Sequence, residues 1–438
     1  MIFIQSCPAG STKDPLFLFG RMLDSMQATK ALSVSNPEMQ RAIAKQALCY
    51  TVGSLADAVT SEDDRMEQNL TMIDLFSGCG GVTTGFKAAG FQPLAAVEYD
   101  HAAAQTYRLN HPEVVLYEED IRNISPDKMM SDCKIESGQL TVLSACSPCQ
   151  PFSTLNRSKI GYERAFLILE VIRFAEKLQP KFLFMENVSG LKKDPKILDK
   201  LVSKLKELGY KVTWAIIDAV NYGVPQFRKR LILLSTIFDV EIRIPDPTHA
   251  PTEEAALLGI LGQEKWLTVR DAFAGLQDLN NGEASETDPL HKARKHAPLV
   301  LERLKHIPHD GGSRKSLPPE LQLPRFRDNN YLGYDDIYGR MAFDKPSNTL
   351  TTGCTSLTQG RFAHPTSDRS ITLREAARLQ TFPDSYRFYG SYGQIATQIG
   401  NAVPVRLAEV FAHYFRQLVE QQICQASDGS SQQTAVKQ

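Results

Sequence analysis

From Thr71 to about Val240, short apolar runs alternate with stretches of helical spacing, and this rhythm limits the fold more than any other feature. Residues 71–76, 93–98, 114–117, 140–145, 181–185, 212–218 and 231–236 read as strands. A helix starts at about Thr83, 166–178 is helical by its apolar spacing, and a helix over 197–208 ends at Gly209. Strands that are apolar without interruption, separated by amphipathic helices, fit a doubly wound, mostly parallel sheet covered on both faces. The class is α/β.

The flanks are patterned differently. Within residues 1–70, segment 37–55 reads as one or two short helices and 61–64 as an acidic turn. No chemistry is visible there, and this N-terminal extension has no assigned role. Met26, Met66 and Met72 are alternative starts. Beyond Val240, Pro, Gly and His become frequent and no long helix is evident over 291–348. Residues 291–330 carry nine Lys/Arg against four Asp/Glu, with four of the nine histidines, and read either as solvated surface or as a phosphate-facing patch. Helical spacing returns at 371–380 and 404–419, and the Gln/Ser-rich 421–438 reads as a disordered tail.

Composition removes several classes. Forty-nine Lys/Arg against 50 Asp/Glu give a net charge of −1, which argues against indiscriminate polyanion binding but allows a local basic groove. No apolar stretch approaches the roughly 18 residues that cross a bilayer. Eight cysteines in 438 residues are too sparse for a disulfide scaffold and fit a reducing, intracellular setting. The N-terminus lacks the pattern of a secretion signal.

Three places carry chemistry. Asp74-Leu75-Phe76-Ser77-Gly78-Cys79-Gly80-Gly81 joins the first strand to a helix, where glycines let backbone N–H groups approach a ligand. The glycines alone fit a tight turn equally well. Glu98 ends the second strand, placed to meet ribose hydroxyls, and Asp120 ends the third, placed to accept from an adenine amino group. Thr83 stands where a dinucleotide fingerprint has its third glycine, so S-adenosylmethionine, which has no pyrophosphate, fits better than NAD.

Ser147-Pro148-Cys149-Gln150-Pro151-Phe152-Ser153 leaves the fourth strand. Cys146 and Cys149 have Cys-x-x-Cys spacing, open to a redox pair or half a zinc site. The further ligands of a closed zinc site are missing, and the prolines stiffen the backbone around Cys149 as a nucleophile requires. Cys146 is expected to point back into the sheet. Residues 154–161, with Asn156, Arg157, Lys159 and Gly161, read as a loop that can close over a substrate.

Met185-Glu186-Asn187-Val188 ends the fifth strand. Glu186 reads as a partly desolvated acid able to hold a proton, or as a cap or ion pair. Gln226-Phe227-Arg228-Lys229-Arg230 opens a later strand, where the alternation points both arginines the same way, toward the site or toward water.

With Arg374-Glu375-Ala376-Ala377-Arg378-Leu379-Gln380 and Gln398-Ile399-Gly400-Asn401-Ala402-Val403-Pro404, these motifs in this order resemble the cytosine-5 DNA methyltransferases, of restriction-modification or orphan type, over about residues 71–420. Thr349-Leu350-Thr351-Thr352 and Gly360-Arg361-Phe362 resemble the end of the target-recognition region of bacterial members.

The resemblance implies a Rossmann-like catalytic domain over 71–240, completed by 395–420, and a smaller irregular target-recognition domain with hinge over 241–394. It implies Cys149 as nucleophile on C6 of a flipped cytosine, Glu186 at N3, Arg230 near the cytosine oxygen, and Arg228 beside them or as a phosphate contact or loop brace. Phe76, Ser77, Gly78, Gly80, Gly81, Glu98, Tyr99, Asp120, Ile121, Pro148 and Asn401 would meet S-adenosylmethionine, with S-adenosylhomocysteine as product and no metal. Gln150, Ser153, Arg157 and Lys159 would meet DNA. The implied partner is double-stranded DNA, with a restriction endonuclease acting separately. A monomer at the bacterial nucleoid, in the cytoplasm, is expected. Rival readings are a transfer-RNA methyltransferase of the same fold, a non-catalytic homologue and a cysteine-pair oxidoreductase.

Overall fold

The computed structural model describes residues 69–147, 166–193, 195–251, 262–324 and 336–435. The chain enters through β1 (Thr71–Leu75), α1 (Gly81–Ala88), β2 (Gln92–Val97), α2 (His101–Asn110), β3 (Val115–Tyr117), α3 (Pro126–Cys133) and β4 (Val142–Ala145). It continues through α4 (Glu170–Leu178), β5 (Phe182–Val188), α5 (Pro195–Glu207), β6 (Lys211–Asp218) and β7 (Lys229–Thr236). The strands form one seven-stranded sheet in the order β3-β2-β1-β4-β5-β7-β6. Neighbours pair in parallel from β3 to β5, whereas β7 runs antiparallel to both β5 and β6. Apolar periodicity marks a buried strand but not its direction, so this reversal leaves no mark in the sequence.

The central strands β1, β4 and β5 are covered on both faces, which is why they are apolar along most of their length. Ile73, Leu75, Leu143, Leu183 and Met185 pack on one face against Val171 and Phe174 of α4 and Leu201 and Leu205 of α5. Met72, Val142, Phe182 and Phe184 face the other side. There α1 meets the last helix, α10 (Val405–Ala435), whose Phe411 ring lies 5.5 Å from that of Phe184 and whose Phe415 ring lies 5.0 Å from that of Phe182. Each buried phenylalanine contributes about 1.5–3 kcal/mol relative to exposure. The C-terminal segment is therefore part of the layered core.

The expected helix over 166–178 opens instead as a 3-10 turn, Phe166–Leu169, before α4. The tail expected to be disordered is helical to Ala435, because an established helix extends cheaply and Gln is a good helix former. The expected helices at 37–55 and the turn at 61–64 lie outside the described residues.

Between β7 and α10 the chain is irregular, with short helices α6 (Val269–Phe273), α7 (Pro298–Lys305), α8 (Leu373–Leu379) and α9 (Tyr392–Asn401). Buried arginines organise it. Arg340 donates to the carbonyls of Leu304, Ile307, His364 and Ser367 and pairs with Asp368. Arg369 holds Glu375 bidentately at 2.9 and 2.8 Å. Part of the basic stretch at 291–330 also turns inward: His291 is buried between Thr372 and the Gln277 carbonyl, and Arg314 is buried. Lys292, Arg294, Lys295, Lys305 and Lys315 remain exposed. Among the described residues no helix is long and apolar enough to cross a membrane.

Candidate active site

A cavity of about 1670 Å³ opens at the carboxyl edge of the sheet. The glycine loop and Glu98 form one end, Glu186 and Arg230 line another part, and Thr349–Thr352 with α9 close it from the side of the irregular region.

The glycine loop is built from local strain. Phe76 leaves β1 at φ +60°, a left-handed conformation that costs a non-glycine residue about 1–2 kcal/mol. Gly78 follows at φ +56° and Gly80 at φ +93°. Nothing lies within 4 Å of where a Cβ on Gly78 would stand, so this side of the loop is open. The Gly78 N–H donates to Glu98 Oε2 at 2.8 Å and the Asp100 N–H to Oε1 at 2.7 Å, which fixes the carboxylate beside the loop. Burial pushes the Glu98 carboxyl up despite these two donors. Each oxygen keeps a lone pair for a hydroxyl donor. Tyr99 stands 77 % exposed at the rim, a free aromatic face.

Asp120 lies beyond β3 rather than at its end: it caps the 3-10 turn Ile121–Asn123 through the Arg122 N–H at 3.0 Å. The Arg122 side chain also binds both carboxylate oxygens, at 3.0 and 2.6 Å, and holds Asp120 below its ordinary range. Phe76, Ser77, Gly78, Gly81, Glu98, Tyr99, Asp120, Ile121 and Asn401 all line the cavity. Gly80 does not. It is required for another reason, since a Cβ there would meet Tyr386 Oη at 2.7 Å and His111 Nε2 at 2.8 Å.

The reversal of β7 builds the other part. In a parallel strand, Arg230 near the start would lie at the amino edge of the sheet. Running antiparallel, β7 pairs Arg230 with Val188 at the carboxyl edge. Arg230 Nε thus lies 2.7 Å from Glu186 Oε1, both side chains nearly buried. The contact is an ion pair, and Oε1 has no hydrogen-bond donor among the described residues.

Arg228, two residues earlier, has a different place. The residue is 2 % exposed, and its guanidinium donates to the carbonyls of Leu350 at 3.1 Å, Gly400 at 3.0 Å and Ala402 at 3.0 Å. Gln226 joins the same knot, accepting from the Leu350 N–H at 2.8 Å and donating to Gln380 Oε1 at 3.0 Å. Gln380 in turn donates to the Ile399 carbonyl at 2.6 Å. This buried knot ties the start of β7 to Thr349–Thr352 and to the end of α9, where Asn401 stands. The pairing of Gln226 and Gln380 joins residues 154 positions apart and was not anticipated from the sequence.

Cys146 follows β4 at the cavity wall. Burial, with the charges of Glu186 and Asp74, pushes its thiol well above the usual range, so it stays a thiol. Pro148, Cys149, Gln150, Ser153, Arg157 and Lys159 lie outside the described residues.

A family model for C-5 cytosine-specific DNA methylase matches residues 70–416. The chain belongs to the C-5 cytosine-specific DNA methylases. This methylase is 33 % identical over 356 residues to the Type II methylase M.HgiDII of Herpetosiphon aurantiacus, covering 80 % of this chain and 96 % of that one. It is 32 % identical over 349 residues to the Type II methyltransferase M1.HphI of Haemophilus parahaemolyticus, covering 78 % and 86 %. A solved Escherichia coli structure, a putative DNA modification methyltransferase encoded within a prophage, shares the fold at a TM-score of 0.62 and 24 % identity, covering 80 % of this chain and all of that one. The enzyme is thus a DNA cytosine-5 methyltransferase, resembling the methyltransferases of restriction-modification systems.

Proposed function

We propose that this methylase transfers a methyl group from S-adenosylmethionine to C5 of a cytosine swung out of double-stranded DNA, with Cys149 as the nucleophile. One observation supports this reading most: a single cavity joins the Gly78–Glu98 cradle to the Glu186–Arg230 pair.

The residues fit the cofactor. Glu98 offers acceptors to ribose hydroxyls, Phe76 and Tyr99 offer apolar faces to adenine, Asp120 offers an acceptor for its amino group, and Asn401 closes the pocket. Bound there, S-adenosylmethionine supplies an electrophilic methyl group.

The chain's own residues prepare the base. The Cys149 thiolate adds to C6, which makes C5 nucleophilic. Glu186, protonated when the base is bound, hands its proton to N3, and Arg230 donates to the cytosine oxygen, so the negative charge that thiolate addition puts on the ring is neutralised inside a partly dry site. After transfer, water takes the C5 proton, the C6–S bond breaks to release the Cys149 thiolate, and N3 returns its proton to Glu186. Arg228 acts as a brace, because its Nη1 and Nη2 are held by backbone carbonyls. A stacked base cannot enter such a pocket, so flipping is required, at a few kcal/mol; Gln150, Ser153, Arg157 and Lys159 are assigned to the DNA.

The test is transfer of labelled methyl groups from S-adenosylmethionine to duplex DNA and to transfer RNA, followed by bisulfite mapping of the DNA. Incorporation at one duplex sequence is expected. Labelling of transfer RNA alone, or of adenine, would reject the proposal.

A further inference from the structure

Behind the glycine loop, on the side away from the cavity, lies a buried polar cluster with no part in the chemistry above. Tyr386 Oη donates to the Cys79 carbonyl. Thr84 Oγ1 donates to the Gly80 carbonyl at 2.7 Å. Between the two hydroxyls sits His111 Nε2, 3.4 Å from Tyr386 Oη and 3.3 Å from Thr84 Oγ1. Both hydroxyls use their hydrogen on a carbonyl, so the ring nitrogen between them must donate. That fixes the tautomer with hydrogen on Nε2 and leaves Nδ1 a buried acceptor without a partner among the described residues. A second ring proton would have nothing to bind, in keeping with a basicity that burial lowers to about 4.

The cluster acts on the loop's backbone. It holds the Cys79 carbonyl back from the cavity, whose wall here is Gly78, Cys79 and Gly81, while the Gly80 carbonyl is held by the Thr84 N–H at 2.9 Å in the first turn of α1 as well as by the Thr84 hydroxyl. With the carbonyl dipoles held behind, the wall presents fewer acceptor oxygens to a ligand that carries a carboxylate. The Tyr386 ring is locked against Phe382 at 4.7 Å and Phe388 at 5.3 Å, so its hydroxyl is held in place.

We infer that Tyr386, supported by His111 and Thr84, is a positioning residue for cofactor binding, acting through the Cys79 carbonyl on the glycine loop. This rests on the cofactor reading above.

Tyr386→Phe removes only the hydroxyl and keeps the ring contacts. Calorimetric titration of the full chain with S-adenosylhomocysteine should show affinity weakened roughly three- to tenfold, the range of one net hydrogen bond. KM for S-adenosylmethionine should rise alike, with kcat at saturation and DNA affinity unchanged. Thr84→Val, which removes the side-chain donor to the Gly80 carbonyl and a polar neighbour of His111 while the Thr84 N–H stays, should shift cofactor affinity in the same direction by a smaller factor, and it carries the test should Tyr386→Phe fail to fold. Unchanged cofactor affinity in a folded variant overturns the assignment. So does an equal loss of cofactor and DNA affinity with a lowered melting temperature, which would mark a general packing role. If the wild type itself binds no S-adenosylhomocysteine, the cofactor reading fails and this inference with it.

Discussion

Replacing Arg228 by lysine separates bracing from chemistry in the Gln226–Arg230 segment. The guanidinium reaches the Leu350 carbonyl from one nitrogen and those of Gly400 and Ala402 from another. An ammonium keeps the charge but has a single nitrogen, and it cannot span both groups of acceptors. At least one of the two sides is left without its donor in a site only 2 % exposed. A buried acceptor that loses a charged donor costs about 2 kcal/mol, so one or two such losses predict about 2–4 kcal/mol of destabilisation. Arg230→Lys is the matched control, since Arg230 contacts Glu186 and its neighbour's carbonyl rather than the knot. Urea denaturation should give Arg228→Lys a clearly lower midpoint with residual turnover. Arg230→Lys should stay near wild-type stability and lose most turnover. An Arg228→Lys protein as stable as the wild type yet inactive would refute the reasoning and place Arg228 among the groups that touch substrate.

Three more outcomes are expected. Cys149→Ser should abolish methyl transfer while Cys146→Ser, whose thiol stays protonated in the wild type, keeps at least part of it; equal loss in folded variants, by transfer assay, would remove the nucleophile assignment. Glu186→Gln should bind S-adenosylhomocysteine normally by calorimetry and turn over at least tenfold more slowly, on the scale of a lost proton-handling group. His111, lowered by burial and then by the charge of Lys87 to about 4 from 6.5, gives a stability term present above pH 6.5. As pH falls through that window the unfolded chain takes up the proton first, so about 3 kcal/mol is lost on approaching pH 4. Asp74, raised by burial to about 6, works in the opposite sense over pH 6 to 4, so the measurement is the difference in pH slope between wild type and His111→Gln, with the wild type steeper.

Much of the fold was legible because it rests on local pattern. Apolar runs such as 71–76 and 181–185 could be read as strands since burial on both faces leaves no polar alternation. The glycine loop, Glu98 and Glu186 could be placed near one sheet edge since each adjoins the carboxyl end of a strand. The basic stretch at 291–330 was only half legible. A histidine that satisfies a buried carbonyl, as His291 does, has the same composition as one that faces a phosphate. Gly80 looked like a ligand contact, whereas the reason for it is the room needed by Tyr386 and His111.

By itself the sequence determined the layered α/β core, the strand-to-helix glycine turn and the acids beside it, because periodicity and turn chemistry act over a few neighbouring residues. Tertiary structure alone decided the direction of β7, and with it the meeting of Arg230 and Glu186. It also decided the Gln226–Arg228–Gln380 knot and the place of Tyr386 behind the loop. Those features depend on directional hydrogen bonds and ion pairs between residues tens to hundreds of positions apart. Such contacts impose no repeat on the chain, so they take shape only when the folded backbone brings their partners together.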